Sequence, residues 1–203
     1  MKRLIILFLC AGSFACKQNT SSGVTATSNT GPVIPAHRVR EDDTAIQIRN
    51  GIWMRQDKPY SGQLISLYPS GIVRSVKSLW EGKEEGLQIT YYEDGALATQ
   101  RWYRNGEKDS VNQGWWPDGK QKFLYHFKAG VYEGSFEEWY ASGKPLKKIW
   151  YHDGKEQCGQ GWRENGKPFM SFVVKDGRWY GQINPNLCYS LTNEKGDFAA
   201  VRQ

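Results

Sequence analysis

The sequence predicts an all-β chain, an elongated meander of antiparallel β-hairpin repeats behind a disordered N-terminal tether, and three observations carry that expectation. Glycines recur in two parallel ladders: Gly71, Gly95, Gly119, Gly143 and Gly166, and then Gly82, Gly106, Gly130, Gly154 and Gly177. Each ladder steps by 24, 24, 24 and 23 residues and the two stand 11 apart, a period that marks a repeat architecture. Asp or Asn precedes many of these glycines, as in 93–95 (EDG), 104–106 (RNG) and 152–154 (HDG), and such pairs supply the φ > 0 geometry by which a hairpin reverses. Finally, 9 Trp, 11 Tyr and 8 Phe stand beside 22 Gly, so the apolar surface is largely aromatic; aromatics favour strands and glycine favours tight turns.

At the N-terminus, Met1-Lys2-Arg3 is a short basic start, Leu4 to Phe14 is apolar, and Ser13-Phe14-Ala15-Cys16 closes the run. A bilayer-spanning helix needs roughly 20 apolar residues, so residues 1–15 fit a secretory signal instead, with small residues at Ser13 and Ala15 suited to a peptidase cleft. The cysteine directly after them resembles the lipobox of bacterial lipoproteins. That resemblance implies cleavage between Ala15 and Cys16, a diacylglyceryl group on the Cys16 thiol and acylation, palmitate for example, of the new amino terminus. A conventional signal that happens to contain cysteine is the alternative. Several acyl chains anchor stably where one is marginal, which places the protein on a membrane of the bacterial cell envelope, the outer membrane foremost, facing the periplasm or exterior. Residues 16–44 are rich in Ser, Thr, Asn and Gly, cannot bury enough surface to order themselves, and read as a flexible tether.

Residues 45–61, with Asn50-Gly51 as a turn, read as an N-terminal capping hairpin. Residues 62–181 hold five repeats of two short strands and two turns each, and residues 182–203 break the period and read as a C-terminal cap that blunts the last strand. Aromatics fall in step with the turns. Leu67, Tyr91, Trp115, Trp139 and Trp162 stand four before the first glycine; Tyr68, Tyr92, Trp116, Tyr140 and Arg163 follow; Leu79, Tyr103, Phe127, Tyr151 and Val174 stand three before the second. Adjacent strand residues face opposite sides, so the first two columns are expected as aromatic stripes on the two faces of the sheet. Two readings stand for Tyr68, Tyr92, Trp116 and Tyr140: packing between hairpins, or an exposed ladder that binds a protein or a polysaccharide.

The stretches 86–95 (GLQITYYEDG) and 134–143 (GSFEEWYASG) resemble MORN-variant repeats, found in bacterial proteins often described as YwqK-family antitoxins. The resemblance covers roughly residues 50–181. Repeats one, two and four open with Gly62, Gly86 and Gly134; repeats three and five have Ser110 and Gln157 there and share Gln-Gly-Trp at 113–115 and 160–162, so bulged strand starts are expected in those two. The family implies a meandering sheet and a scaffolding or binding role, with no cofactor and no catalytic residues.

The residues themselves point the same way. His37, His126 and His152 have no metal-ligand spacing and read as exposed strand or turn positions. Asp94, Asp118, Asp153 and Asp176 are explained by turn geometry, and Glu84-Glu85 and Glu137-Glu138 read as solvated positions. Phosphate loop, nucleophile elbow and Cys-x-x-Cys motifs are absent from the sequence. The formal charge of +6 becomes +4 without Lys2 and Arg3, 25 basic against 21 acidic side chains, which falls short of a nucleic-acid footprint. Cys158 and Cys188 form an even pair in an oxidising compartment. One strand is expected between them, however, and two strand spacings, about 9.5 Å, exceed the roughly 4.4–6.8 Å a disulfide accepts between Cα atoms; the bond requires the C-terminal segment to fold back. The expected function is therefore a non-enzymatic binding or scaffold lipoprotein, ahead of an antitoxin or immunity protein and, further behind, a hydrolase of envelope polymers.

Overall fold

The computed structural model describes residues 31–183, so the expected signal sequence, Cys16, Cys188 and nearly all of the expected C-terminal cap lie outside the described residues. Every regular element among the described residues is a strand. The first seven are β1 (Arg38–Arg40), β2 (Ile46–Arg49), β3 (Ile52–Arg55), β4 (Lys58–Pro59), β5 (Gly62–Leu67), β6 (Val73–Trp80) and β7 (Lys83–Glu84). The long meander follows as β8 (Gly86–Tyr91), β9 (Leu97–Arg104), β10 (Glu107–Trp115), β11 (Gln121–Lys128), β12 (Val131–Trp139), β13 (Pro145–His152), β14 (Lys155–Trp162), β15 (Pro168–Lys175) and β16 (Arg178–Ile183). From β5 onward the strands pair antiparallel in sequence order, except that β7 and β8 both pair with β6, while β2-β3-β4 make a small separate sheet. The chain is thus all-β, a 13-stranded meander built from hairpins.

The two glycine ladders make different turns. In the first, Tyr92 N donates to Ala96 O (2.8 Å) and Gly95 N to Tyr92 O (2.9 Å), with Gly95 at φ 86°; the residue before it, Asp94, keeps negative φ and accepts from Ala96 N through Oδ1 (2.9 Å). This is a type I turn closed by a glycine bulge. In the second ladder both central residues are left-handed, Asn105 at 51° and Gly106 at 87°, between the paired Arg104 and Glu107: a two-residue type I′ turn. Because the strands alternate in direction, the first ladder lies along one rim of the sheet and the second along the other.

Bulges open the first strand of repeats two to five, not only of three and five as expected. Pairing slips between Leu79↔Glu84 and Val76↔Ile89, between Asp109 and Gln113, between Tyr125 and Phe127, and between Trp150 and Tyr151. Glycine eases the bulge at Gly86 and Gly134, but Ser110 takes the same positive φ, 54°. At the first bulge Gln88 stands in for the lost ladder bonds, accepting from Ser78 N (3.1 Å) and donating to Ser78 O (2.8 Å). Asn112, 24 residues on, accepts from Trp102 N (2.7 Å) but is one methylene shorter, and its buried Nδ2 has no partner.

Residues paired across strands share a face and successive residues alternate. One face, here the ring face, carries Leu64, Gln88, Arg101, Asn112, Tyr125, Phe136, Ile149 and Phe172 in register. Its N-terminal end is a cluster of Tyr60, Leu64 and Leu79 under Val39, Ile46 and Trp53; its C-terminal end is a second cluster of Phe136, Ile149 and Phe172. There Tyr125 stacks between Phe123 (4.6 Å) and Phe136 (4.0 Å). Glycines of repeats three and five supply the room: rings of Phe123 and Phe172 lie where a Cβ on Gly114 or Gly159 would stand.

One expectation is corrected here. The tether was expected to run through residue 44, yet β1 pairs in parallel with β5, Val39 opposite Leu64, and covers what is otherwise the sheet's first edge. Cys158 is disulfide-bonded; the pairing with Cys188 falls on a residue outside the described residues.

Candidate functional site

Tyr68, Tyr92, Trp116 and Tyr140 begin the turns of the first rim, and all four are half-buried. Tyr68 Oη donates to Tyr91 O (2.9 Å), Tyr92 Oη to Trp115 O (2.8 Å), Trp116 Nε1 to Trp139 O (3.2 Å) and Tyr140 Oη to Trp162 O (3.0 Å). Each ring therefore reaches forward one repeat and ties its turn to the next, which is the packing alternative of the two readings. The polar ends are taken up internally; only parts of the ring surfaces remain to meet a ligand, and Lys122 already lies 4.4 Å over the Trp116 ring.

The second rim is tied in the reverse direction by main chain. Gly82, Gly106, Gly130 and Gly154 donate their amides to Tyr60, Glu84, Lys108 and Tyr132 O, at 2.8, 2.8, 2.9 and 3.0 Å. Acids of the strand starts serve the same turns: Glu85 accepts from Asn105 N (2.6 Å), and Glu133 accepts from Asp153 N (2.8 Å) while pairing with His152 Nδ1 (2.9 Å). The glutamates are thus more than solvated. Glu137 pairs with Lys148 and Glu138 with Lys147, and burial pushes the Glu84 carboxyl above its ordinary value against the pull of Lys77 and Arg101. Burial, reinforced by hydrogen bonds to Glu138 and Glu156, pushes Tyr125 and Tyr151 far up, so both phenols stay neutral donors.

Glu133, His152 and Asp153 bring one ligand atom each within 4.8 Å of one another. Both Glu133 oxygens are engaged in holding the turn, however, and the ion pair accounts for the grouping. His126 is held elsewhere, between Ser135 O and Oγ (3.0 and 3.1 Å), and His37 lies edge-on to Tyr60.

The opposite face, the tryptophan face, carries the first of the expected aromatic columns together with two exposed rings, Trp102 and Trp150, that the sequence reading missed. Alternation from Thr90, Gly114, Glu138 and Gly161 puts Tyr91, Trp115, Trp139 and Trp162 there, half-buried along the first rim. Nearer the second rim stand Trp102, paired with Leu87 and 45 % exposed, and Trp150, paired with Ser135 and 39 % exposed. Val111 and His126 pair between them. The signal was present: Ser78, Trp102, His126, Trp150 and Val173 form a column of the same period, one position before a column already recognised. By contrast, the ring face is screened by cations, Arg101 over Phe123, Lys108 over Phe127 and Lys147 over Phe136.

No family model and no curated protein matches this chain. Among the described residues no helix is long and apolar enough to cross a membrane.

Proposed function

We propose that this chain is a non-catalytic binding or scaffold lipoprotein, tethered to an envelope membrane through Cys16, whose partner-facing surface is the tryptophan face. The exposure of Trp102 and Trp150, two repeats apart with Val111 and His126 between them, carries the reading. Large rings on a sheet tied along both rims offer contact area at little further entropic cost. The resemblance of the repeats to MORN variants agrees with scaffolding, and the lipobox-like Ala15-Cys16 junction supports the location. The partner is a protein or a polysaccharide that accepts flat aromatic contacts.

A photo-crosslinking residue placed at 102, at 150 or at the rim turn position 118 tests the surface in cells. Adducts are expected from 102 and 150 and not from 118, and their sensitivity to protease separates a protein partner from a polysaccharide. Equal yields from all three positions, or none from any, overturn the assignment of that face. Cys16→Ser is expected to move the protein out of the membrane fraction; continued tight membrane association sinks the anchor.

A further inference from the structure

The rings of the tryptophan face are spaced by the strands that carry them. Tyr91, Trp115, Trp139 and Trp162 stand on β8, β10, β12 and β14, two strand steps apart, so a ring recurs about every 9.5 Å along the first rim. Nearer the second rim Trp102, His126 and Trp150 stand on β9, β11 and β13, with the same step but on the strands between. Two rows of rings, offset by half a step, thus flank a lane that crosses the strands.

The floor of the lane is polar. Gln100, Gln113, Leu124, Glu137, Lys148 and Gln160 pair in one unbroken row on this face from β9 to β14. Gln113 Nε2 donates to Gln100 Oε1 (3.1 Å), which leaves an acceptor on Gln113 and a donor on Gln100 for a ligand. Lys148 pairs with Glu137 (2.9 Å), so the floor offers hydrogen bonds without net charge. The indole N–H groups also differ from that of the rim tie. Trp116 donates its own to Trp139 O, whereas Trp102, Trp115, Trp139 and Trp150 give theirs to no partner among the described residues.

Flat rings on both sides and uncharged donors and acceptors between them match a neutral polymer with apolar faces and hydroxyl edges. The step of the rings selects among polymers. An extended peptide repeats about every 6.7 Å, which is not that step. A polyproline II chain repeats about every 9.3 Å but with three residues per turn, and a three-fold screw does not match rows offset by half a step. A β-1,4-linked glycan is a flat ribbon with a two-fold screw: successive sugars turn over, and one disaccharide advances by about the step of the rings.

We infer that the tryptophan face binds an extended, uncharged β-1,4-linked glycan laid across β9 to β13, one disaccharide to each repeat. The inference rests on this face being the partner-facing surface and names the partner's chemistry. Trp102 and Trp150 are four strand steps, about 19 Å, apart and hold sugars two disaccharides apart along the chain.

Calorimetric titration of the intact protein in a zwitterionic detergent with cellohexaose and chitohexaose tests this chemistry. Maltohexaose, an α-1,4-linked chain that coils, and a decaproline peptide are the comparisons. At least one β-1,4 hexasaccharide is expected to bind. Trp102→Ala and Trp150→Ala are each expected to weaken binding about ten-fold. Trp179→Ala, which removes an exposed ring paired with Val174 on the ring face, is expected to leave it unchanged. In the unsubstituted chain bound glycan is expected to protect Trp102 and Trp150 from oxidation and not Trp179, a reading that does not depend on any variant folding. Equal binding of maltohexaose, binding of decaproline in place of the glycans, or rings left unprotected overturns the inference. Protease-sensitive crosslinks from positions 102 and 150 without glycan binding keep the face as a protein-binding surface and sink the glycan alone; neither crosslinks nor glycan binding sinks both.

Discussion

The two rims of the sheet solve one problem with different chemistry. A meander of hairpins must fix each repeat against the next, and a type I turn with a glycine bulge leaves its opening residue free to carry a large side chain. On the first rim that residue is Tyr or Trp and its polar end reaches a carbonyl one repeat ahead. The type I′ turns of the second rim are two residues long and have no such position; there the glycine amide itself reaches one repeat back. The ties of the first rim can therefore be altered by side-chain substitution, whereas those of the second rest first on backbone conformation, with Glu85 and Glu133 as additions at two turns.

The sharpest break in this comparison is at the two ends of repeat one. Gly71 (φ 83°) faces open space, whereas a Cβ on Gly82 (φ 77°) meets the Ile52 side chain and, at 2.7 Å, Trp53 O, where the small β2-β3-β4 sheet donates Trp53 N to Gly82 O. Left-handed backbone costs an alanine about 1–2 kcal/mol, and forced repacking adds about 1–3 kcal/mol. Gly82→Ala is expected to lower unfolding free energy in urea by the sum, Gly71→Ala by the first part alone. Equal losses would show that Gly82 is no more than a turn residue.

Asn112→Gln sharpens the account of the bulges. The longer amide restores the second bond that Gln88 makes at its own bulge, here from Nε2 to Trp102 O, and satisfies a group whose unpaired burial costs about 1–3 kcal/mol. A rise in stability is expected, smaller than that range because Asn112 is 2 % exposed and the added methylene must be accommodated. Lower stability in thermal or urea unfolding would mean that the site has no room for it.

Tyr92→Phe removes one tie of the first rim and nothing else. The loss expected is about 0.5–1.5 kcal/mol, the usual net worth of a hydrogen bond, with faster amide exchange in the turn of the following repeat around Gly119. A variant as stable as the parent would leave the first rim held by ring packing alone.

The period, the hairpins and the aromatic columns were legible because turn chemistry is local: Asn105-Gly106 dictates a reversal whatever surrounds it. The difference between the ladders was not legible from Asp-Gly pairs. Asp94 and Asp153 precede glycine alike, yet one keeps negative φ and caps a main-chain amide while the other turns left-handed. The choice depends on where strand pairing begins. The ties of the first rim span 22 or 23 residues, beyond any local pattern, so Tyr68, Tyr92, Trp116 and Tyr140 read as a free ladder as readily as a packed one. Strand β1 was hidden by composition: Arg38-Val39-Arg40 sits in a polar stretch and orders only because β5 offers an edge.

The smallest effect lies on the second rim. Hydrogen bonding to Glu133, and that carboxylate's charge, hold His152 above its ordinary value of 6.5, while the Asp153 amide and then His152 hold Glu133 below its ordinary 4.5. A histidine raised in the folded state adds stability that is complete below its unfolded pKa and fades as pH rises through the folded one; a depressed carboxylate adds stability that is complete above its unfolded pKa and fades as pH falls through the folded one. The pair therefore contributes most between about pH 4.5 and 6.5. His152 is fully exposed, so solvent keeps the effect slight. In Glu133→Gln the His152 titration followed by NMR is expected to move down toward 6.5. A midpoint that stays where it is would show that Glu133 does not hold the His152 proton and leave this turn tied chiefly by main chain, from Gly154 N to Tyr132 O.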